Sequence, residues 1–229
     1  MPNLFTPGLQ SRSARARCYR NHLLRIFAAA ALCLAVAAGA RAQFGSAGMQ
    51  FRNNPALKPP AGTRVAIIEF DDLECPACAE VNPVLERAAA QYKIPWIRHD
   101  FIIPFHQWSP VAAVNARWFD TKSKTLGSAY RNAVFANQPY IYNLAMLSQF
   151  TDRFAASHGV TMPDSIDPHN TLYGEVQADT NLAKSLGLTH TPTIFIASVN
   201  AKGTLASEVV DPYHDLDRMI NQAIAASGR

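Results

Sequence analysis

The chain has 229 residues, with 21 Lys and Arg residues against 17 Asp and Glu residues, and a net charge of +4. This length accommodates one domain with a substantial core, or one domain that carries an insertion. The positive charge comes from residues 1–42, which hold six arginines and no acidic residue, so the remainder has 15 basic residues against 17 acidic ones, about −2. This composition argues against nucleic acid or an acidic membrane surface as a partner.

The first 42 residues have the pattern of a secretory signal peptide. Arginines between Arg12 and Arg25 precede an apolar run from Ile26 to Ala40, and Ala40-Arg41-Ala42 offers an A-x-A cleavage site. The apolar run is too short for a comfortable membrane span, so we expect no stable membrane insertion after cleavage. Cys18 and Cys33 would be lost with this segment. The pattern predicts export to an oxidising compartment, the periplasm.

Residues 43–62 are predicted to be an extended lead-in without a helix. They contain Asn53-Asn54-Pro55 and Pro59-Pro60, which are turn-forming and helix-breaking sequences.

The next stretch brings two cysteines to the junction of a strand and a helix. Val65 to Phe70 is a short apolar run rich in β-branched residues, which predicts a buried strand. Apolar residues between Val81 and Tyr92 recur at helical spacing, so Cys75-Pro76-Ala77-Cys78 lies where that helix begins. The positive end of a helix dipole favours a thiolate, the reactive form of cysteine. This pattern predicts a redox-active pair.

A cysteine pair at this spacing can also bind zinc or form a purely structural disulfide. Half of a zinc site would need a second Cys or His pair at metal-binding spacing, which the chain after residue 42 does not offer. A purely structural disulfide usually closes a long loop, whereas only two residues separate these cysteines. We therefore expect neither a metal nor another cofactor.

Further strand and helix patterns follow. Ile94 to Phe101 indicates a second strand, and a strand-helix-strand run of this length predicts a parallel βαβ unit with a right-handed crossover. From Ser109-Pro110, a favourable helix start, the periodicity is helical. Besides the helix that starts there, we expect helices over 125–136, 142–157 and 170–186.

The last part of the chain returns to a strand pattern. Two predicted strands, 194–198 and 204–210, flank a turn at 200–203, and a final helix is expected after Asp211-Pro212.

Five short sequences accompany this order of elements: Glu69-Phe70-Asp71, Cys75-Pro76-Ala77-Cys78, Pro104-Phe105-His106, Leu186-Gly187-Leu188 and Thr191-Pro192-Thr193. In these sequences and in its order of elements, the chain resembles the DsbA-like thiol-disulfide oxidoreductases of the thioredoxin superfamily. It implies an α/β thioredoxin fold, βαβ and ββα around a central mixed sheet. The domain would span 63–229, with a helical insertion at about 108–187.

The resemblance also implies roles for matching residues. Cys75 would be the exposed nucleophile and Cys78 the resolving thiol. Pro192 matches the family's cis-proline, and the backbone of Thr191 beside it would pair with an extended substrate segment. Glu69 matches the family's buried acid, which would have a raised pKa and exchange a proton with Cys78. The alternative for Glu69 is a surface acid at a strand end.

Two features of the sequence differ from the strongly oxidising archetype of the DsbA-like family. Ala77 stands where that archetype has histidine, and Asp71, Asp72 and Glu74 are close in sequence to Cys75, where carboxylates disfavour a thiolate. We therefore expect a Cys75 pKa nearer the thioredoxin value of about 7 than the DsbA value of about 3.5.

The function expected from sequence is that of an exported dithiol oxidase, which exchanges disulfides with secreted or envelope proteins and is reoxidised by a membrane quinone-linked partner. A reductase or isomerase of the same fold is the first alternative. A non-catalytic peptide-binding or chaperone module is the second.

Overall fold

The computed structural model describes residues 48–228, which form a five-stranded sheet with helices on both faces. The strand order is β1-β5-β4-β2-β3, and β2 and β3 are the parallel pair. Pairs β2–β4, β4–β5 and β1–β5 are antiparallel. The strands are β1 (Gln50–Arg52), β2 (Val65–Asp71), β3 (Trp96–Asp100), β4 (Thr193–Asn200) and β5 (Gly203–Glu208).

Within the described residues, six α-helices accompany the sheet: α1 (Pro76–Tyr92), α2 (Ser109–Lys122), α3 (Lys124–Asn137), α4 (Leu144–Ser157), α5 (Thr171–Ser185) and α6 (Leu216–Ala226). A short 3-10 helix, Gln138–Tyr140, follows α3. Side-chain caps mark two of the starts: Ser123 Oγ accepts from Leu126 N at 3.1 Å, and Asn143 Oδ1 accepts from Met146 N at 3.0 Å. None of the helices among residues 48–228 has the length and apolar character that a membrane span requires.

This architecture confirms the thioredoxin fold expected from sequence. Strand β2, helix α1 and strand β3 form the parallel βαβ unit, and β4, β5 and α6 form the second half. Helices α2 to α5 lie between the halves as an insertion, and each expected helix or strand is present with shifted ends. The domain bounds remain a prediction, and the proposed signal peptide lies outside the described residues.

One strand was missed. Within the expected lead-in, β1 pairs with β5, and Phe51 packs edge-on against Phe195 with ring centroids 5.7 Å apart. Three residues between turn-forming sequences are too few to show strand alternation, so tertiary pairing creates this strand.

The hydrophobic core has three parts. One sheet face packs on α1 and α6 through residues such as Ile67, Leu85 and Ile220. The opposite face includes Phe70 and Phe195. The third part lies in the insertion and contains both Cys75 and Cys78, together with Trp108, Phe119, Tyr130 and Leu147. The cysteine pair therefore sits where the thioredoxin core meets the insertion.

Candidate active site

Cys75 and Cys78 lie at the start of α1, as unpaired thiols. Cys75 is the N-cap residue, with an extended backbone, and Pro76 is the first helical residue. The residue Cys75 is 8% exposed and Cys78 is 0% exposed. The expectation of an exposed Cys75 therefore needs correction, because the insertion core and the loop that ends at Pro192 cover most of this residue. Cys75 is nevertheless the more accessible of the two.

The two thiols have opposite acidities. A hydrogen bond from the Cys78 thiol is the largest influence that lowers the pKa of Cys75 to about 6; Thr191 and the backbone amides of Ala77 and Cys78 also lower it, while burial opposes them. Burial raises the pKa of Cys78 well above its ordinary value, and its hydrogen bond to Cys75 and the nearby Glu69 and Asp71 charges add to this. At neutral pH the proton therefore resides on Cys78 and Cys75 is mostly thiolate.

The loop before β4 lies against the first cysteine. The Thr191–Pro192 peptide bond is cis, and the Thr191 carbonyl oxygen is 3.5 Å from Cys75 Sγ. Thr191 and Pro192 are half-buried, so solvent reaches this loop beside the sulfur. The structure thus brings Thr191 and Pro192 together with Cys75.

Glu69 lies in the interior of β2 and is 0% exposed. Trp96 Nε1 donates to Glu69 Oε2 at 3.0 Å, Arg98 Nε is 3.6 Å from the same oxygen, and Oε1 has no hydrogen-bond partner within residues 48–228. Burial, followed by the nearby Asp71 carboxylate, raises the pKa of Glu69 to about 8, although Arg98 and Trp96 oppose the shift. The surface-acid alternative is thus inconsistent with its position.

Asp71 is a second buried acid on the same strand face. Arg98 Nε donates to Asp71 Oδ2 at 3.0 Å, and burial nevertheless raises the pKa of Asp71 to about 6. Arg98 is held in turn by Asn132 Oδ1 at 3.2 Å, by Asn82 Oδ1, and by the Trp96 ring 4.1 Å away. One arginine therefore serves two buried carboxylates beneath the cysteines.

Sequence reasoning missed Arg98 and Trp96 as parts of this site. In the parallel register Glu69 is opposite Arg98 and Ile67 is opposite Trp96. Because side chains alternate along a strand, residues two apart on neighbouring strands share a face. The available signal in the sequence was Arg98, a charged residue within the predicted second strand.

The three carboxylates near Cys75 in sequence do not act as expected. Asp72 Oδ1 accepts from Glu74 N at 2.8 Å, and Asp72 Oδ2 accepts from Ile103 N at 2.8 Å. Glu74 Oε2 accepts from Trp108 N at 2.7 Å and Ser109 N at 2.9 Å, so it caps α2. Asp71 pairs with Arg98. Each carboxylate is therefore committed to another partner, and the largest influences on the Cys75 pKa are hydrogen bonds and burial rather than these charges.

Gln138 ties the active-site loop to the insertion, and no sequence pattern singles it out. Its Nε2 donates to the carbonyl oxygens of Leu73 at 2.9 Å and Cys75 at 3.1 Å. These two hydrogen bonds, together with the Glu74 cap on α2, hold the backbone from Leu73 to Cys75 against the insertion.

Comparisons with known proteins agree with this geometry. The family model described as thioredoxin matches residues 61–213. No curated protein matches the chain significantly by sequence.

Solved structures are similar in fold at low sequence identity. BdbD from Bacillus subtilis, in its oxidised form, is 15% identical with a TM-score of 0.62, over 79% of this chain and 100% of that one. α-DsbA1 from Wolbachia pipientis is 18% identical with a TM-score of 0.59, over 74% and 90%. The oxidoreductase NmDsbA1 from N. meningitidis is 17% identical with a TM-score of 0.54, over 81% and 96%.

Proposed function

The chain belongs to the thioredoxin family, and from that premise we propose that it is an exported protein thiol-disulfide oxidoreductase acting through Cys75 and Cys78. The observation that carries the proposal is that the pKa values of the two thiols are shifted in opposite directions: the pKa of Cys75 is lowered to about 6 and that of Cys78 is raised. A thiolate beside a protonated partner is the distribution that disulfide exchange through two cysteines requires.

The first half-reaction starts from a Cys75–Cys78 disulfide. A substrate thiolate attacks Cys75 Sγ, a substrate–Cys75 disulfide forms, and the Cys75–Cys78 bond breaks with its electron pair on Cys78. Because the pKa of Cys78 is high, this sulfur takes up a proton as it leaves.

Glu69 is assigned as the source of that proton. Its pKa of about 8 keeps it mostly protonated at neutral pH, and in its ionised form it raises the pKa of Cys78, so the two groups interact. After the transfer, Arg98, 3.6 Å from Glu69 Oε2, stabilises the carboxylate that remains. The buried acid thus holds the proton needed by the leaving thiolate.

The second half-reaction releases the product. A second substrate thiolate attacks the substrate sulfur of the mixed disulfide, and Cys75 leaves as a thiolate. Two electrons have passed from the substrate dithiol to the protein disulfide. A lowered pKa makes Cys75 a good leaving group, which favours this release. We assign Thr191 and Pro192 to substrate binding, where the Thr191 backbone pairs with an extended segment beside the sulfur.

The preferred direction is oxidation of secreted or envelope proteins in the periplasm, with reoxidation by a membrane quinone-linked partner. The second candidate is a reductase or isomerase, and one observation favours it: the Cys75 pKa of about 6 is nearer the thioredoxin value than the DsbA value. A higher pKa stabilises the reduced form less, so the reduction potential should lie below the roughly −120 mV of the strongest oxidant.

The redox state of the protein in its own compartment tests the direction. Free thiols would be alkylated in intact cells, and the modified fraction of Cys75 and Cys78 counted after purification. A mainly oxidised pair supports the oxidase, and a mainly reduced pair supports the reductase or isomerase. Cysteines that neither exchange nor alkylate would overturn the proposal in favour of a binding module.

A further inference from the structure

A groove of about 590 Å³ opens in the insertion, away from the cysteines, between α2, α4 and the segment that leads into α5. Its apolar wall consists of Val111, Val114, Leu144, Met162, Ile166 and Tyr173. This volume lies within the range of sites that bind small molecules or peptide side chains. We call it the insertion groove.

The charges in the insertion groove have one sign. Asp152, Asp164 and Asp167 line it, and the lining residues within 48–228 include no Lys, Arg or His. Asp167 caps α5 by accepting from Tyr173 N at 2.8 Å. Asp152 and Asp164 are exposed, and neither has an ion-pair or hydrogen-bond partner for its carboxylate within residues 48–228. The groove thus offers an apolar wall and two uncompensated carboxylates.

A largely buried polar side chain lines the insertion groove. Asn115 is only 4% exposed, and its Nδ2 donates to Tyr130 Oη at 3.3 Å and to Thr151 Oγ1 at 3.2 Å. Its Oδ1 receives no hydrogen bond from the described part of the chain, although Asn115 lines the groove. Asn115 Oδ1 is not among the fully buried side-chain atoms that lack a partner within residues 48–228, so it is accessible from the groove and a ligand donor can reach it.

The insertion groove lies next to a second groove beside the cysteines. This active-site groove, of about 420 Å³, is lined by Pro76, Trp108, Gln138 and Tyr142 among others. Trp108 and Tyr142 line the active-site groove, while Pro110 and Leu144, two residues further along the same segments, line the insertion groove. Among the described residues none lines both grooves, but their linings are only two residues apart along both segments, so the grooves are neighbours.

The linings of the two neighbouring grooves expose several large apolar side chains. Four of the eight large apolar or aromatic side chains that the described residues expose line one of the two grooves: Val111, Tyr142, Leu144 and Tyr173. Exposed apolar side chains concentrated in one region in this way are typical of an interaction site.

We propose that the insertion groove is a second anchor for the reduced polypeptide substrate, and that it takes a segment with apolar side chains and Lys or Arg near the reacting cysteine. The proposal rests on the proposed function. Apolar side chains would pack against Leu144 and Val111, and basic side chains would pair with Asp152 and Asp164. Proximity to the active-site groove favours the substrate chain over an unrelated partner. The two linings are only two residues apart along both segments, and an extended chain advances about 3.3 Å per residue, so it reaches from one groove to the other in a few residues.

Oxidation kinetics with matched peptides test the proposal. One reduced peptide carries two cysteines, a short Gly-Ser spacer and Leu-Lys-Leu-Arg; its partner has Glu in place of Lys and Arg. Glutathione disulfide is the terminal oxidant. We expect the double variant Asp152→Asn/Asp164→Asn to raise KM for the basic peptide between about twofold and thirtyfold, the range of two exposed ion pairs, with kcat unchanged. The loss should shrink as salt is added.

Controls separate binding from chemistry. Leu144→Ser should also raise KM for the basic peptide, whereas Asp217→Asn, which removes an exposed charge on α6, should not. Dithiothreitol, too small to reach both grooves, should be oxidised equally by all variants. Unchanged KM in both groove variants, equal KM for the two peptides with wild-type protein, or a matching loss with dithiothreitol would each overturn the proposal.

Binding without chemistry distinguishes failure of this proposal from failure of the proposed function. A labelled, cysteine-free Leu-Lys-Leu-Arg peptide, followed by fluorescence anisotropy, should bind wild-type protein and bind the double variant more weakly. If the protein proves redox-inactive but this difference is found, the groove assignment stands alone. If sedimentation instead shows a dimer that the groove variants dissociate, the occupant is a second copy and the proposal is wrong.

Discussion

Glu69→Gln should change the pH dependence of stability of the reduced protein. The pKa of Glu69 is raised from 4.5 to about 8 in the folded state, chiefly by burial. Between pH 4.5 and about pH 8, Glu69 in the folded protein holds a proton that it has released in the unfolded chain. The free energy of unfolding therefore falls as pH rises, by about 1.4 kcal/mol per pH unit, or about 5 kcal/mol across the interval. The stabilisation is fully present below pH 4.5 and is lost by about pH 8.

Glutamine has a similar shape and can accept from Trp96, but it does not titrate. The variant should therefore lack the Glu69 contribution, so its stability relative to wild type should increase steadily from about pH 5 to about pH 8. The pKa of Asp71 is raised to about 6, so Asp71 also makes the free energy of unfolding fall as pH rises, over a lower pH range and in both proteins.

Urea unfolding of the reduced proteins at several pH values between about 5 and 8 measures this directly. Glu80→Gln is the matched control, because it removes an exposed carboxyl on α1 and should leave the curve of the wild type unchanged. Parallel stability curves for wild type and Glu69→Gln would refute the reasoning, since they would mean that Glu69 does not hold its proton in the folded protein.

Three further predictions concern the cysteines and their loop. Cys78→Ala should accumulate mixed disulfides with substrates, seen on non-reducing gels, because nothing resolves them; trapping by Cys75→Ala instead would reverse the assignment. Ala77→His should lower the Cys75 pKa by about one unit and raise the reduction potential by about 30 mV, measured by thiolate absorbance and glutathione equilibration, and an unchanged pKa would contradict it. Gln138→Leu removes two hydrogen bonds and should lower unfolding free energy by about 2 kcal/mol and raise the Cys75 pKa; the exposed Gln91→Leu should do neither. Loss of stability with an unchanged pKa would limit Gln138 to a structural role.

Local patterns were enough to predict most of the fold. Apolar runs such as Val65 to Phe70 and helical spacing after Cys78 predicted β2 and α1, because burial imposes those periods on the sequence. The three-residue strand β1 was not predicted, because it forms through pairing with β5 and its own sequence carries no strand pattern.

The electrostatics of the site could not be predicted in the same way. Sequence distance suggested that Glu74 would oppose a Cys75 thiolate, yet its carboxylate caps α2 in the insertion. Arg98 reaches Glu69 and Asp71 only through the parallel register of β2 and β3. These partners are fixed by tertiary contacts between distant segments, which residue spacing along one chain does not specify.

The measurement that tests the central claim most directly is disulfide transfer from the oxidised protein to a reduced dithiol peptide. Purified wild-type protein with a Cys75–Cys78 disulfide should convert the peptide to its disulfide form, with two protein thiols appearing per peptide disulfide formed. Mass spectrometry of both products gives the stoichiometry. If the peptide remains reduced while the protein keeps its disulfide, Cys75 and Cys78 do not form an exchange site and the account is contradicted.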